Sequence, residues 1–95
     1  MKKRPSLTGD VVTVIFELPA AVGASSAALT GEFTAWVPVG MVPQPDGSHM
    51  LSVDLAAGRR YRFRYVVEGE RWENDWAADD YVPNGFGGED SVVVV

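Results

Sequence analysis

Polar and apolar residues alternate along much of this chain with a period of two. "RRYRFRYVVEG" (Arg59 to Gly69) is the clearest instance. Tyr61, Phe63, Tyr65 and Val67 fall on one side, and Arg60, Arg62 and Arg64 on the other. Successive side chains of a strand point to opposite faces, so the pattern predicts a half-buried strand. "DVVTVIFELP" (Asp10 to Pro19) is rich in β-branched residues and stops at a proline, as strands do. Its even positions, Val12, Val14, Phe16 and Leu18, form one apolar face, while Val11 and Ile15 make the other face partly apolar. "AALTGEF" (Ala27 to Phe33) sets Leu29 and Phe33 against Thr30 and Glu32. "HMLSVDL" (His49 to Leu55) places Leu51, Val53 and Leu55 on one side. "DSVVVV" (Asp90 to Val95) would aggregate if left unpaired, so it is predicted to pair inside a sheet with at least two of its valines buried.

"PQPDGS" (Pro43 to Ser48) and "AAGRR" (Ala56 to Arg60) carry turn chemistry: proline presets φ, and glycine tolerates positive φ. No segment has a helical period. Six or so short strands with turns at short intervals predict an all-β protein, an antiparallel β-sandwich. No repeat or linker divides residues 10–95, which read as one domain. Residues 1–9 read as a flexible basic tail.

Composition and charge narrow the partners. A chain of 95 residues fits one domain with a single core. Hydrophobic residues at 46% and charged residues at 22% are ordinary for a globular domain, which argues against disorder. The net charge of −5 repels phosphate backbones, so nucleic acid is not expected as a partner. Without cysteine there is neither a disulfide framework nor a thiolate metal site. No apolar run approaches the ~20 residues of a membrane span, and "MKKRPSLTGD" has no apolar core behind its basic start. The expectation is a cytoplasmic protein with no membrane contact.

"GERWENDWAADDY" (Gly69 to Tyr81) puts Trp72 and Trp76 in a very polar setting. An indole normally leaves water on folding, so each ring either folds inward or serves as a surface for a ligand. Hairpin register decides for Trp72. A two-residue loop (Glu68, Gly69) pairs Tyr65 with Trp72 and sends that ring to the core. A three-residue loop (Glu68 to Glu70) pairs Val66 with Trp72 and sets the ring on the arginine face. Periodicity leaves both open, and the charged Glu70 and Arg71 favour the longer loop.

"LTGEFTAW" (Leu29 to Trp36), "YRFRYVVEGERWENDW" (Tyr61 to Trp76) and "YVPNGFGGEDSVVVV" (Tyr81 to Val95) resemble, in order and spacing, carbohydrate-binding module family 48. These are the isoamylase early-set domains, which include the glycogen-binding domain of the AMP-activated protein kinase β subunit. The resemblance runs from about Asp10 to Val95. It implies an immunoglobulin-like sandwich that binds α-1,4-linked glucans (glycogen, starch, malto-oligosaccharides) without catalysis, cofactor or metal. It implies stacking roles for Trp36 and Trp72, a basic hydroxyl contact at Arg64, an apolar contact beneath the sugar at Phe86, and a hydroxyl contact at Asp90. The family has asparagine at this last position, so Asp90 accepts hydrogen bonds but cannot donate them. These roles require the three-residue loop. The family's catalytic barrel has no counterpart in these residues, so a separate glycogen- or starch-metabolising enzyme is the implied protein partner. The alternative is a protein-interaction or regulatory module of the same fold.

Other residues suggest blander readings. Trp76 has no sugar role in the family and is expected to pack beneath its own loop. Burial of Trp36 among Val37, Val39, Met41 and Val42 is an alternative to stacking. Arg60 and Arg62 read as a solvated face, and His49 as a surface residue at a strand edge. Acid–base catalysis needs a carboxyl in a sheltered pocket, and the carboxylates here sit in loops, so no enzyme activity is expected. Asp75, Asp79, Asp80 and Asp90 lack the ordered spacing of a calcium loop. "KKRPSL" loosely suits a basophilic kinase at Ser6.

Overall fold

The alternating segments become paired strands in a computed structural model that describes all 95 residues. In chain order the strands are β1 (Lys2–Pro5), β2 (Val11–Leu18), β3 (Ala27–Gly31), β4 (Val39–Gly40), β5 (Val42–Pro43), β6 (His49–Ala56), β7 (Arg60–Val67), β8 (Arg71–Glu73), β9 (Asp80–Pro83) and β10 (Glu89–Val94). Single 3₁₀ turns follow β2 and β3, at Ala20–Val22 and Glu32–Thr34. One sheet has the order β1-β2-β6-β5. The other runs β4-β3-β7-β10-β9, with β8 also on β7. All pairings are antiparallel, and the two sheets pack as an all-β immunoglobulin-like sandwich.

The faces predicted by alternation meet in the middle. Val12, Val14, Phe16 and Leu18 of β2 and Leu55 of β6 pack against Leu29, Phe63, Tyr65, Val67 and Val93 of the other sheet. Phe16 lies at the centre, edge-on to Phe63 at 5.0 Å and stacked on Phe33 at 5.5 Å. Val92 and Val93 are both buried, and β10 lies between β7 and β9. The chain crosses from one sheet to the other at buried Met41, between β4 and β5. No helix is long and apolar enough to cross a membrane.

One edge of β7 is shared. Phe63 to Arg60 pair with Ser91 to Val94 of β10, while Tyr65 to Val67 pair with Glu73 to Arg71 of β8. The opposite edge belongs to β3, from Val67↔Ala27 to Phe63↔Gly31. Gly31 marks the point where β3 leaves the sheet. A Cβ there would lie 2.6 Å from the Arg62 carbonyl oxygen and 2.9 Å from the Phe63 Cβ, so close backbone approach requires glycine.

Three expectations fail. Residues 1–9 are not a loose tail throughout, because Lys2–Pro5 pairs with Ile15–Val12 as an edge strand. This strand buries none of its own residues. It is held by its backbone ladder and by Lys3, which reaches across to Asp79 at 2.5 Å. Trp76 is 61% exposed rather than packed under its loop. The loop is anchored instead by the Asp75 carboxylate, described below. His49 is buried, not a surface residue, because it pairs with both Leu18 and Pro43 inside the four-stranded sheet.

Candidate functional site

Residues directly opposite each other on paired strands share a face. The face of the six-stranded sheet turned away from the core therefore carries Arg62, Arg64 and Val66 of β7, Thr30 of β3, Trp72 of β8, and Asp90 and Val92 of β10. Thr30, Val66 and Val92 are buried there and form a floor. The longer side chains stand above it.

Trp72 reaches this face because the β7–β8 loop has three residues. The ladder pairs Val66 with Trp72 and Val67 with Arg71. Glu68 and Gly69 take left-handed conformations, with φ of 56° and 71°. Glycine accepts this at no steric cost, whereas glutamate needs support. Its support comes from the neighbouring loop. The Ser25 amide and hydroxyl donate to the Glu68 carboxylate at 3.2 and 3.0 Å, and the Glu68 amide donates to the Ser26 carbonyl at 3.0 Å. Those serine hydrogen bonds hold the Glu68 carboxyl below the usual carboxylate range.

Trp36 arrives from the other side of β7, on the turn after β3. Thr34 Oγ1 accepts from the Gly31 amide and donates to the Gly31 carbonyl, both at 3.0 Å, and the Trp36 amide donates to that same carbonyl at 2.9 Å. Ala35 and Trp36 are consecutive left-handed residues, at φ 53° and 59°. Such conformations cost about 1–2 kcal/mol each for residues with a Cβ. The rest of the turn must hold them.

The result is a pair of indoles. Trp36 is 38% exposed and Trp72 is 44% exposed. Their ring planes lie within 28° of each other with centroids 6.4 Å apart. That separation exceeds the ~3.5–4 Å of direct face-to-face contact, so the rings are not sealed against each other. The Arg64 guanidinium carbon lies 5.7 Å from the Trp72 ring centre, within cation–π range. Arg64 Nη2 donates to the Trp72 carbonyl at 3.4 Å, and Arg64 Nε is buried without a protein partner.

The β9–β10 hairpin supplies the far wall. Its turn, Asn84 to Gly88, closes through the Asn84 amide and Gly88 carbonyl at 3.1 Å. Asn84 Oδ1 accepts from the Phe86 amide at 2.9 Å, and Nδ2 donates to Asp90 Oδ1 at 3.4 Å. Phe86 stands at the tip between two left-handed glycines and is 94% exposed. Arg62 lies between the walls, donating to the Pro83 carbonyl at 3.4 Å, with Nη1 3.9 Å from Asp90 Oδ2. Where β3 has left the sheet, the Glu32 carboxylate accepts from the Arg62 amide at 2.6 Å.

Trp36, Arg64, Trp72, Phe86 and Asp90 thus line one open groove of about 730 Å³. Glu32, Arg62 and Asn84 line it as well and were not anticipated. Arg62 was legible from its shared face with Arg64. Asn84 sat in an ordinary asparagine–glycine turn and Glu32 in a loop, and neither carried a signal of its own.

A buried polar cluster fixes the segment after Trp72. The Tyr65 hydroxyl donates to Asp75 Oδ2 at 2.6 Å, and the Ala77 amide donates to Oδ1 at 2.8 Å. The Asp75 amide donates to Ser91 Oγ at 2.9 Å, which donates in turn to Asn74 Oδ1 at 2.8 Å. Asn74 Nδ2 donates to the Glu89 carbonyl at 3.0 Å. The end of β8 is thereby tied to β10. Burial, together with the charge and hydrogen bond of Asp75, pushes the Tyr65 hydroxyl far above its ordinary pKa.

The four aspartates considered for calcium serve different partners. Asp75 takes Tyr65, Asp79 takes Lys3, Asp80 takes Arg60 at 2.6 Å, and Asp90 faces Arg62 and Asn84. No group of three or more histidine, aspartate or glutamate side chains is arranged to hold a metal ion. No family description matches the chain, and no curated protein matches it significantly.

Proposed function

We propose that this groove binds α-1,4-linked glucans without transforming them. The observation that carries the reading is the tilted pair of half-exposed indoles, Trp36 and Trp72, in one groove with hydrogen-bonding side chains. A pyranose ring has an apolar face of C–H groups and a rim of hydroxyls. An indole covers the first, and planar polar groups at its edge take the second. Arg64, Arg62 and Asn84 supply donors along the groove, and Asp90 supplies acceptors. The family resemblance in the sequence points the same way. An open groove desolvates its ligand only in part, which suits affinities from roughly micromolar to millimolar. The two carboxylates in the groove, Glu32 and Asp90, already accept protein hydrogen bonds, from the Arg62 amide and from Asn84 Nδ2. That supports binding rather than hydrolysis.

Titration with maltoheptaose, followed by tryptophan fluorescence, tests the reading. Saturable quenching or enhancement is expected in the native protein and its loss in Trp72→Ala, which should stay folded because the ring is 44% exposed. An unchanged spectrum with maltoheptaose, β-cyclodextrin and glycogen would refute it. The second reading is a protein-interaction module. Its support is the exposure of Val37, Val39 and Val42, in and beside the two short edge strands β4 and β5. It predicts normal folding with no response to any glucan.

A further inference from the structure

We propose that the groove prefers an α-glucan carrying a phosphate monoester over the neutral chain, with Arg64 as the phosphate contact. This rests on the glucan reading above and names the substituent that the groove selects. The cations near the groove are not equally satisfied. Arg60 pairs with Asp80 at 2.6 Å and Arg71 with Glu73 at 2.8 Å. Arg62 has Asp90 at 3.9 Å, and its backbone amide holds Glu32. The two carboxylates of the groove are therefore both engaged around Arg62.

Arg64 has no carboxylate within ion-pair distance. Its Nε is buried and unpartnered, and its only hydrogen bond is a long one, 3.4 Å, to the Trp72 carbonyl. A partly desolvated guanidinium with unused donors is costly unless something pairs it. The Trp72 ring centre lies 5.7 Å from its guanidinium carbon, and the Trp72 carbonyl accepts from Nη2, so the fork is held beside the indole. A fixed guanidinium matches the paired oxygens of a phosphate far better than single hydroxyls. Trp36 and Trp72 stand beside it to hold the sugar that bears the group.

The test compares three ligands of equal length: maltoheptaose, maltoheptaose with one phosphate monoester, and maltoheptaose oxidised to carry one carboxylate. Affinities are measured by calorimetry at low and at physiological salt. The phosphorylated chain should bind about tenfold more tightly than the neutral one at low salt. The advantage should shrink as salt rises. In Arg64→Gln the ratio of the two affinities should fall to about one, while Arg64→Lys keeps part of it. Melting curves establish that both variants are folded, and the salt dependence of the native protein provides an independent readout. Equal affinity for neutral and phosphorylated chains overturns this inference and leaves the glucan reading standing. A preference that survives Arg64→Gln overturns the role of Arg64, and a stronger preference for the carboxylated chain overturns phosphate as the group selected. Failure of all three to bind refutes the glucan reading itself.

Discussion

Replacing Tyr65 by phenylalanine removes one oxygen from the interior and leaves the ring in place. The ring is fully buried between the sheets, and its hydroxyl is 2.6 Å from Asp75 Oδ2. Asp75 is itself only 6% exposed. Its other oxygen is occupied by the Ala77 amide, and no second donor reaches Oδ2. Tyr65→Phe therefore strands a buried carboxylate oxygen. A hydrogen bond to a charged group contributes about 1.5–3 kcal/mol, and a small void adds slightly to the loss. The expected destabilisation is about 2–3 kcal/mol, or roughly 10–20 °C in Tm for a domain of this size. Thermal melting by circular dichroism and urea unfolding measure it. A double-mutant cycle with Asp75→Ala isolates the pair, because the two losses should be strongly non-additive. If Tyr65→Phe melts within about 0.5 kcal/mol of the native protein, the hydroxyl–carboxylate bond is not what anchors the loop after β8.

Trp76→Ala should cost less than about 1 kcal/mol in stability, since the ring is 61% exposed; a loss of 3 kcal/mol or more in urea unfolding would show that it is packed in solution. Gly31→Ala should destabilise by about 1–3 kcal/mol or more, because its Cβ would sit 2.6 Å from a backbone oxygen; normal melting would mean that β3 can move away from β7. The Tyr65 hydroxyl holds its proton more tightly in the folded state than in the unfolded chain. Its contribution to stability is thus complete below about pH 10 and lost as the pH rises further. The gap in urea midpoint between native protein and Tyr65→Phe should hold up to about pH 10 and narrow as the pH rises to about 11, and a constant gap would refute this. On the acid side, burial pushes the Asp79 carboxyl up, but the Lys3 and Val94 hydrogen bonds and the Lys3 charge outweigh it and hold it below its ordinary value. Unfolding midpoints should therefore fall below about pH 4, and Lys3→Ala should reduce that fall; an unchanged acid profile in Lys3→Ala would count against the bond.

What the sequence revealed was the set of elements whose faces differ in polarity. Strict alternation in Tyr61 to Val67 marked both the core side and the arginine side of β7, and the even positions of β2 marked the other half of the core. Alternation says nothing about a strand without an apolar face. Lys2–Pro5 is all exposed, so its pairing came from backbone groups and a single lysine that no period records. The Trp72 register was ambiguous for a related reason. It depends on the backbone of Glu68, held by serines far away in the chain. An indole without a sugar role in the family is expected to pack beneath its loop, but Trp76 stays exposed because Asp75 beside it carries the anchoring bond. His49 was misjudged because its burial follows from flanking strands, Leu18 on one side and Pro43 on the other. In the groove, Glu32 and Asn84 are turn-forming residues by type. Only the fold brings them beside the tryptophans.

The two strands that share one edge of β7 differ in how firmly they are held. β10 is bonded on both sides, to β7 and β9, and its Val92 and Val93 are buried, one on each face. β8 is three residues long and pairs in the ladder with β7 alone, its far end pinned to β10 only through Asn74 and Asp75. Short singly bonded strands open at a small fraction of the global unfolding free energy. Amide hydrogens of Arg71 to Glu73 should therefore exchange with deuterium by local opening, orders of magnitude faster than those of β7 and β10. Trp36, Arg64 and Trp72 then form a surface with one soft member, since Trp72 alone rides on the strand that frays. A ligand that lies across both indoles must quiet that fraying, at a cost in conformational entropy that it offsets with its own contacts. Occupancy would be visible as slowed exchange confined to β8, in a molecule whose other strands are unaffected.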